Sequence, residues 1–218
     1  KSNQSNRRQR SQEKIRAFTL NKHMQNFKGL SWMPIDIPVF QYKKELVEDF
    51  TADFIPETAR AFQAQRLTTK VPKYGISEWN SDLTESQQHL KEYVDQYLPF
   101  DHLVNIKLHH PHRQGSMHID FGIPEDNPEL YEHNSSMEPC GFRMIIQGTR
   151  QGDLAVMTDT ETVIPVMPES TDWYVIGHTN VRHGNTQYCP DRYVLFCHGW
   201  INKEKHTELL ERSMQLYN

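Results

Sequence analysis

The sequence predicts an α+β chain: a mainly helical first part, a run of short strands forming a sandwich or jelly roll, and a closing helix. Three observations predict it. After Pro99, about eight β-like runs follow one another within roughly 100 residues, separated by turn-forming clusters, and that density suits a jelly roll. Before Pro99, residues 84–98 carry apolar side chains at helical spacing. After the strands, residues 203–216 read as a helix.

In chain order, residues 1–14 are polar and mostly basic, without apolar periodicity, and read as a flexible arm. Residues 15–218 are expected to form one domain, with a helical part at 15–99, a jelly-roll core at 100–202 and a helix at 203–218. Over 13–28, Ile15, Phe18, Met24 and Phe27 give partial helical spacing, which Gly29 would end. Residues 30–40 are extended, since Pro34 and Pro38 forbid helix. Residues 43–66 read as helical in two pieces around Pro56, and 70–81 as a loop containing Trp79. Thr84 is a candidate cap for the next helix. Its apolar stripe is Leu90, Tyr93, Val94, Tyr97 and Leu98, and Pro99 stops it. The expected strands are 103–109, 117–121, 142–147, 154–157, 163–167, 173–177, 181–185 and 193–200. Residues 124–139 are acidic and bounded by prolines, and read as an inserted loop near the mouth of the roll.

Composition narrows the function classes. A net charge of -4 argues against a general nucleic-acid-coating role, although the basic run Arg7-Arg8-Gln9-Arg10 leaves a local contact open. No apolar run is long enough to span a bilayer, and the polar N-terminus carries no secretory h-region. Cys140, Cys189 and Cys197 form no Cys-x-x-Cys pair. They are expected as free thiols in a reducing compartment, hence a cytoplasmic protein.

The candidate chemistry starts at Gly115-Ser-Met-His118-Ile-Asp120-Phe-Gly122. On a strand, His118 and Asp120 point to one face and Ile119 to the other. An imidazole and a carboxylate on one face are two of the three ligands in a 2-His-1-carboxylate triad, which holds non-haem Fe(II) with open positions. The tripeptide alone is weak. His206-Thr207-Glu208 is a near-copy in a helical segment, where an i, i+2 pair shares no face. His109, His110 and His112 read as a polar strand end rather than a zinc site, because their spacing is wrong for zinc.

Two histidines compete for the third ligand, His178 and His183. A hairpin turn near 187–190 would set residue 183 opposite 194 and residue 185 opposite 192. His183 and Arg192 would then be diagonal neighbours about 7–8 Å apart. A five-carbon diacid that chelates the metal with one end would reach that guanidinium, whose planar fork binds a carboxylate bidentately. Strand parity therefore favours His183.

These stretches resemble the Fe(II)- and 2-oxoglutarate-dependent dioxygenases, most closely the aspartyl/asparaginyl β-hydroxylase group. Gly115-Ser-Met-His118-Ile-Asp120 resembles the proximal metal motif. Gly141-Phe-Arg143-Met-Ile-Ile resembles the following strand, which in that group carries an arginine near the cosubstrate. The stretch from Trp173 to Asn185, with His183, and Arg192-Tyr-Val-Leu-Phe resemble the distal histidine and cosubstrate-arginine segments. The resemblance spans about residues 103–200, and the first hundred residues match nothing comparable.

It implies a double-stranded β-helix core, Fe(II) held by His118, Asp120 and His183, and 2-oxoglutarate as cosubstrate on Arg192, with Arg143 nearby. Oxygen, 2-oxoglutarate and a C–H substrate would react to give the hydroxylated product, succinate and CO₂. The Asp120 carboxylate points to hydroxylation rather than halogenation.

The expected substrate is a small polar molecule, a free amino acid or derivative. The acidic side chains Glu125, Asp126, Glu129, Glu132 and Glu138 would suit an ammonium group at the rim. Two other readings stand beside it. One is hydroxylation of a protein or peptide side chain. The other is a cupin-like metal-binding protein without 2-oxoglutarate, which would have no need of Arg192.

Overall fold

The computed structural model describes residues 32–51, 62–70, 75–111, 117–118, 137–148, 154–157, 162–163, 167–176, 182–185 and 191–217. The expected arm, the 13–28 helix, Asp120, His178 and residues 124–136 lie outside them. Among the described residues no helix is long and apolar enough to cross a membrane.

The strands of the described chain pair antiparallel in two sheets. The larger sheet has the order β1-β7-β4-β9-β3-β2. Its strands are β1 (Met33–Pro34), β2 (Phe62–Arg66), β3 (Phe100–Pro111), β4 (Met137–Gln147), β7 (Trp173–Ile176) and β9 (Tyr193–Asn202). The smaller sheet has the order β6-β5-β8, from β5 (Leu154–Met157), β6 (Thr162–Val163) and β8 (His183–Asn185). Residues on either side of Pro99 thus share the larger sheet, with β1 and β2 at its two edges.

Among the described residues, three helices, α1 (Lys43–Glu48), α2 (Glu85–Tyr97) and α3 (Lys203–Tyr217), accompany the sheets. Strand alternation decides which side of the larger sheet they cover. Cys140, Phe142, Met144 and Ile146 of β4, Leu195, Cys197 and Ile201 of β9, and Ile106 and Leu108 of β3 form one buried cluster. Leu46 of α1, Leu90, Tyr93 and Val94 of α2, and Leu209 and Leu210 of α3 complete it. Each such side chain, once removed from water, contributes about 1.5–3 kcal/mol. The intervening residues of those strands, Gly141, Arg143 and Ile145 among them, must face the opposite side.

On that opposite side the two sheets meet. Trp32, Ile145, Tyr174 and Ile176 pack with Val156 and Met167, and Leu154 packs against them. The larger sheet is therefore covered by helices outside and by the smaller sheet within.

The helix over 84–98 forms as its sequence pattern predicts. The Thr84 hydroxyl accepts a hydrogen bond from the Gln87 amide, and the Gln87 side chain accepts one from the Thr84 amide, a capping box. The closing helix also forms, beginning at Lys203 directly after β9.

Two expectations are corrected. Residues 62–66, read as the end of a helical stretch, are the edge strand β2, with Ala64 opposite His109 and Arg66 opposite Lys107. The partner strand decides here, because short segments take the state their neighbours stabilise. Residues 137–139, read as the end of the inserted loop, belong to β4, with Glu138 opposite Ile201 and Pro139 opposite Trp200. Proline is tolerated there because β7 pairs with β4 only over 141–144, leaving residue 139 unbridged on that side.

Candidate metal centre

His118 and His183 stand side by side although 65 residues separate them in the chain. The His118 amide donates to the His183 carbonyl and the His183 amide to the His118 carbonyl, both at 2.9 Å. Residues that exchange both hydrogen bonds are directly opposite one another, so their side chains share a face. The two rings have centroids 4.7 Å apart with planes tilted by 53°. This bridge attaches residue 118 to the free side of β8.

His183 faces into the space between the sheets. It lies opposite Val156 of β5, a member of the buried cluster there, and is itself buried, while His118 is exposed. Two imidazoles, one inside and one towards solvent, form a partial donor set with an approach from outside.

Arg143 reaches this pair from the larger sheet. Its Nη2 lies 3.1 Å from Nε2 of His183. A guanidinium can only donate, so Nε2 of His183 accepts and the ring proton sits on Nδ1. Arg143 is only 1% exposed. Its guanidinium carbon lies 4.3 Å from the centroid of the Phe196 ring, a cation–π contact. His109 stacks on the same ring, with centroids 4.1 Å apart. Gly141 makes room, since a Cβ there would lie 3.0 Å from Nη1 of Arg143 and 3.0 Å from the His198 ring.

Arg192 is also buried and sits just before β9. Gly148, at the end of β4, holds φ +102°, and a Cβ on it would come within 2.8 Å of the Arg192 Cα. Only glycine combines that backbone with that approach.

The expected hairpin register is corrected. His183 does not face residue 194. It pairs with Val156 and His118 in the smaller sheet, while Val194 pairs with His109 and Ile145 in the larger one. The seven residues between β8 and β9 join two different sheets, which short-range parity cannot reveal. His183 is thereby brought to His118 and Arg143 rather than to a cross-strand Arg192.

Asp120 and His178 lie outside the described residues, as does Cys189. Among the described residues no three His, Cys, Asp or Glu side chains stand together as a metal-holding group. The two imidazoles fit a metal site in their chemistry: they are paired on one face, and His183 is in the Nδ1–H tautomer that leaves Nε2 as the donor. Of the histidines at the end of β3, His109 packs as an aromatic, and His110 makes an edge contact with Tyr193 at 4.4 Å. The near-copy histidine His206 lies in α3, its Nε2 4.0 Å from Sγ of Cys140. Sequence reasoning quoted Gly141 without giving it a role and missed Gly148; the signal was a glycine on either side of Arg143.

No family model matches the sequence. No curated protein matches it either. The fold does have solved counterparts. A crystal structure described as an oxidoreductase of the 2OG-Fe(II) oxygenase family from Burkholderia pseudomallei aligns with TM-score 0.52 at 10% identity, covering 84% of this chain and 91% of that one. A prolyl hydroxylase from Trichoplax adhaerens, in complex with a hypoxia inducible factor oxygen degradation domain peptide fragment, aligns with TM-score 0.49 at 10% identity, covering 91% and 95%. At such identities the first likeness is one of fold.

Proposed function

We propose that this chain is an Fe(II)- and 2-oxoglutarate-dependent oxygenase built on a jelly roll, of the aspartyl/asparaginyl β-hydroxylase type. The observation that carries it is the reciprocal pairing of His118 with His183 beside the buried Arg143, on the inner side of a two-sheet fold. The fold shared with a 2OG-Fe(II) oxygenase family structure supports the same reading. The bridge from His118 to His183 would extend the smaller sheet beyond β8, which supports a jelly roll.

His118, Asp120 and His183 would hold the metal, with Asp120 completing the set from two residues beyond His118. When bound, Fe(II) with 2-oxoglutarate and O₂ supplies the oxidising power to hydroxylate a C–H bond. The chain's residues do the rest. His183 is oriented by its strand and its Nδ1–H tautomer. Arg192 and Arg143, both buried, offer guanidinium donors to the carboxylate of the cosubstrate. The cluster of Trp32, Ile145, Tyr174, Ile176 and Val156 excludes water from one side of the space between the sheets.

The proposed substrate is a free amino acid or similarly small polar molecule, supported by the acidic composition of residues 125–132. Residues 15–218 serve as one domain, supported by strands from both halves sharing one sheet. Cys140 and Cys197 are buried and form no disulfide among the described residues, which accords with a reducing, cytoplasmic setting.

The test is an anaerobic titration with Fe(II) and 2-oxoglutarate, watching for the weak visible charge-transfer band of the chelate. The band should appear only when both are present. A screen by succinate release should then respond to free amino acids. Iron binding without any 2-oxoglutarate band would favour the cupin-like reading, and turnover with peptides alone would reassign the substrate.

A further inference from the structure

Arg143 donates to the very nitrogen of His183 that a metal would use. One lone pair on Nε2 cannot serve both, and Nδ1 carries the proton. We propose that Arg143 and the metal compete for Nε2 of His183, so that metal loading turns the guanidinium towards an anion and an anion on Arg143 tightens metal binding. This inference rests on the metal-centre reading above.

The energetics give the coupling its sign. Arg143 is almost wholly buried, and a buried cation that loses an acceptor is costly. Metal binding at His183 removes one acceptor, so the metal alone binds against that cost. A dicarboxylate that takes up the guanidinium offsets it. By linkage, each ligand then raises the affinity of the other by the same factor. The guanidinium rests on the face of Phe196, a contact that tolerates rotation better than a hydrogen bond, and Gly141 carries no Cβ to crowd its Nη1. The same arginine thus holds His183 in the metal-ready tautomer and keeps Nε2 covered until the metal displaces it.

The experiment reads Co(II) affinity anaerobically by calorimetry, with glutarate as a dicarboxylate lacking the chelating keto group. It compares the full chain with Arg143→Met, which keeps an unbranched side chain of similar reach and removes the guanidinium that lies over Phe196. The wild type should bind Co(II) about 10–100-fold more weakly than Arg143→Met, a range set by losing one hydrogen bond to a charged group. Glutarate should tighten Co(II) binding in the wild type and leave the variant unchanged. In the metal-free wild type, nitrogen NMR should show His183 as the Nδ1–H tautomer, and this needs no variant to fold. An Nε2–H tautomer would overturn the proposal. So would equal or weaker Co(II) binding by folded Arg143→Met, with the metal centre itself left standing. If neither protein binds Co(II) while both are folded, the metal-centre reading fails, and the proposal with it.

Discussion

At the scale of single residues, the two paired histidines are not interchangeable with their neighbours. His118→Ala or His183→Ala should weaken Fe(II) binding by more than about 100-fold, since even changes to the outer partners of metal ligands cost about 10–100-fold. His178→Ala should leave binding largely intact. Equilibrium dialysis with Fe(II) under argon separates these, and a dead His178→Ala beside an active His183→Ala would reverse the assignment. Arg192→Lys keeps the charge and loses the fork. The half-saturating 2-oxoglutarate concentration should rise about 10–100-fold, the value of a charge-assisted hydrogen bond, while Fe(II) affinity changes far less. Equal losses of both would mean that the substitution damaged the fold instead. These residue types were legible in the sequence. The partner of His183 was not. Arg143 was singled out only by resemblance, and its contact with Nε2 depends on two sheets facing each other.

At the scale of elements, two local devices hold strands and helices in register. Gly148 ends β4 in the left-handed region with a neighbouring backbone against it. Gly148→Ala should cost about 1–3 kcal/mol. It should also raise the 2-oxoglutarate requirement, because the displaced atom is the Arg192 Cα. A thermal melt and a cosubstrate titration read the two effects, and an unchanged melting temperature would remove the strain argument. The capping box of α2 is the second device. Thr84→Ala should destabilise the chain by about 1 kcal/mol without touching metal affinity, as urea titration would show. The helix at 85–97 was legible because its cap, stripe and stop all lie within one continuous stretch. Strand β2 was not. Phe62-Gln-Ala-Gln-Arg has no decisive period of its own, and it becomes a strand because 107–111 offers it a ladder.

At the scale of the whole molecule, the helix-covered side of the larger sheet buries groups that resist ionisation. Burial pushes the Cys197 thiol well above its ordinary value of 9.0, against the opposing charge of Arg143. Burial likewise raises the Tyr93 phenol above 10.0. Its hydroxyl donates to the Pro38 carbonyl. Both groups are protonated when folded at pH values where the unfolded chain has begun to lose the proton. The folded state then holds more protons, so stability falls as pH rises. Melting temperatures should be flat up to about pH 9 and decline beyond it, through the ordinary thiol and phenol ranges. Cys197→Ala should shallow the early part of that decline. A slope identical in the variant would place the alkaline loss elsewhere.

What the sequence determined by itself was whatever lies within a few consecutive residues: the capped helix before Pro99, the closing helix, the strand segments 142–147 and 193–200, and the alternation that separates Phe142 and Met144 from Arg143. Local periodicity carries that information because side-chain direction repeats every 2 or 3.6 residues. Only the tertiary structure decided which strands meet. It set His183 against His118 instead of residue 194, and it sent β8 and β9 to different sheets. It also made Arg143 the side chain at Nε2 of His183. The reason is physical. A chain segment's own pattern states which face is apolar, but its partner is chosen by the burial of all segments together, and that sum is not written in any one of them.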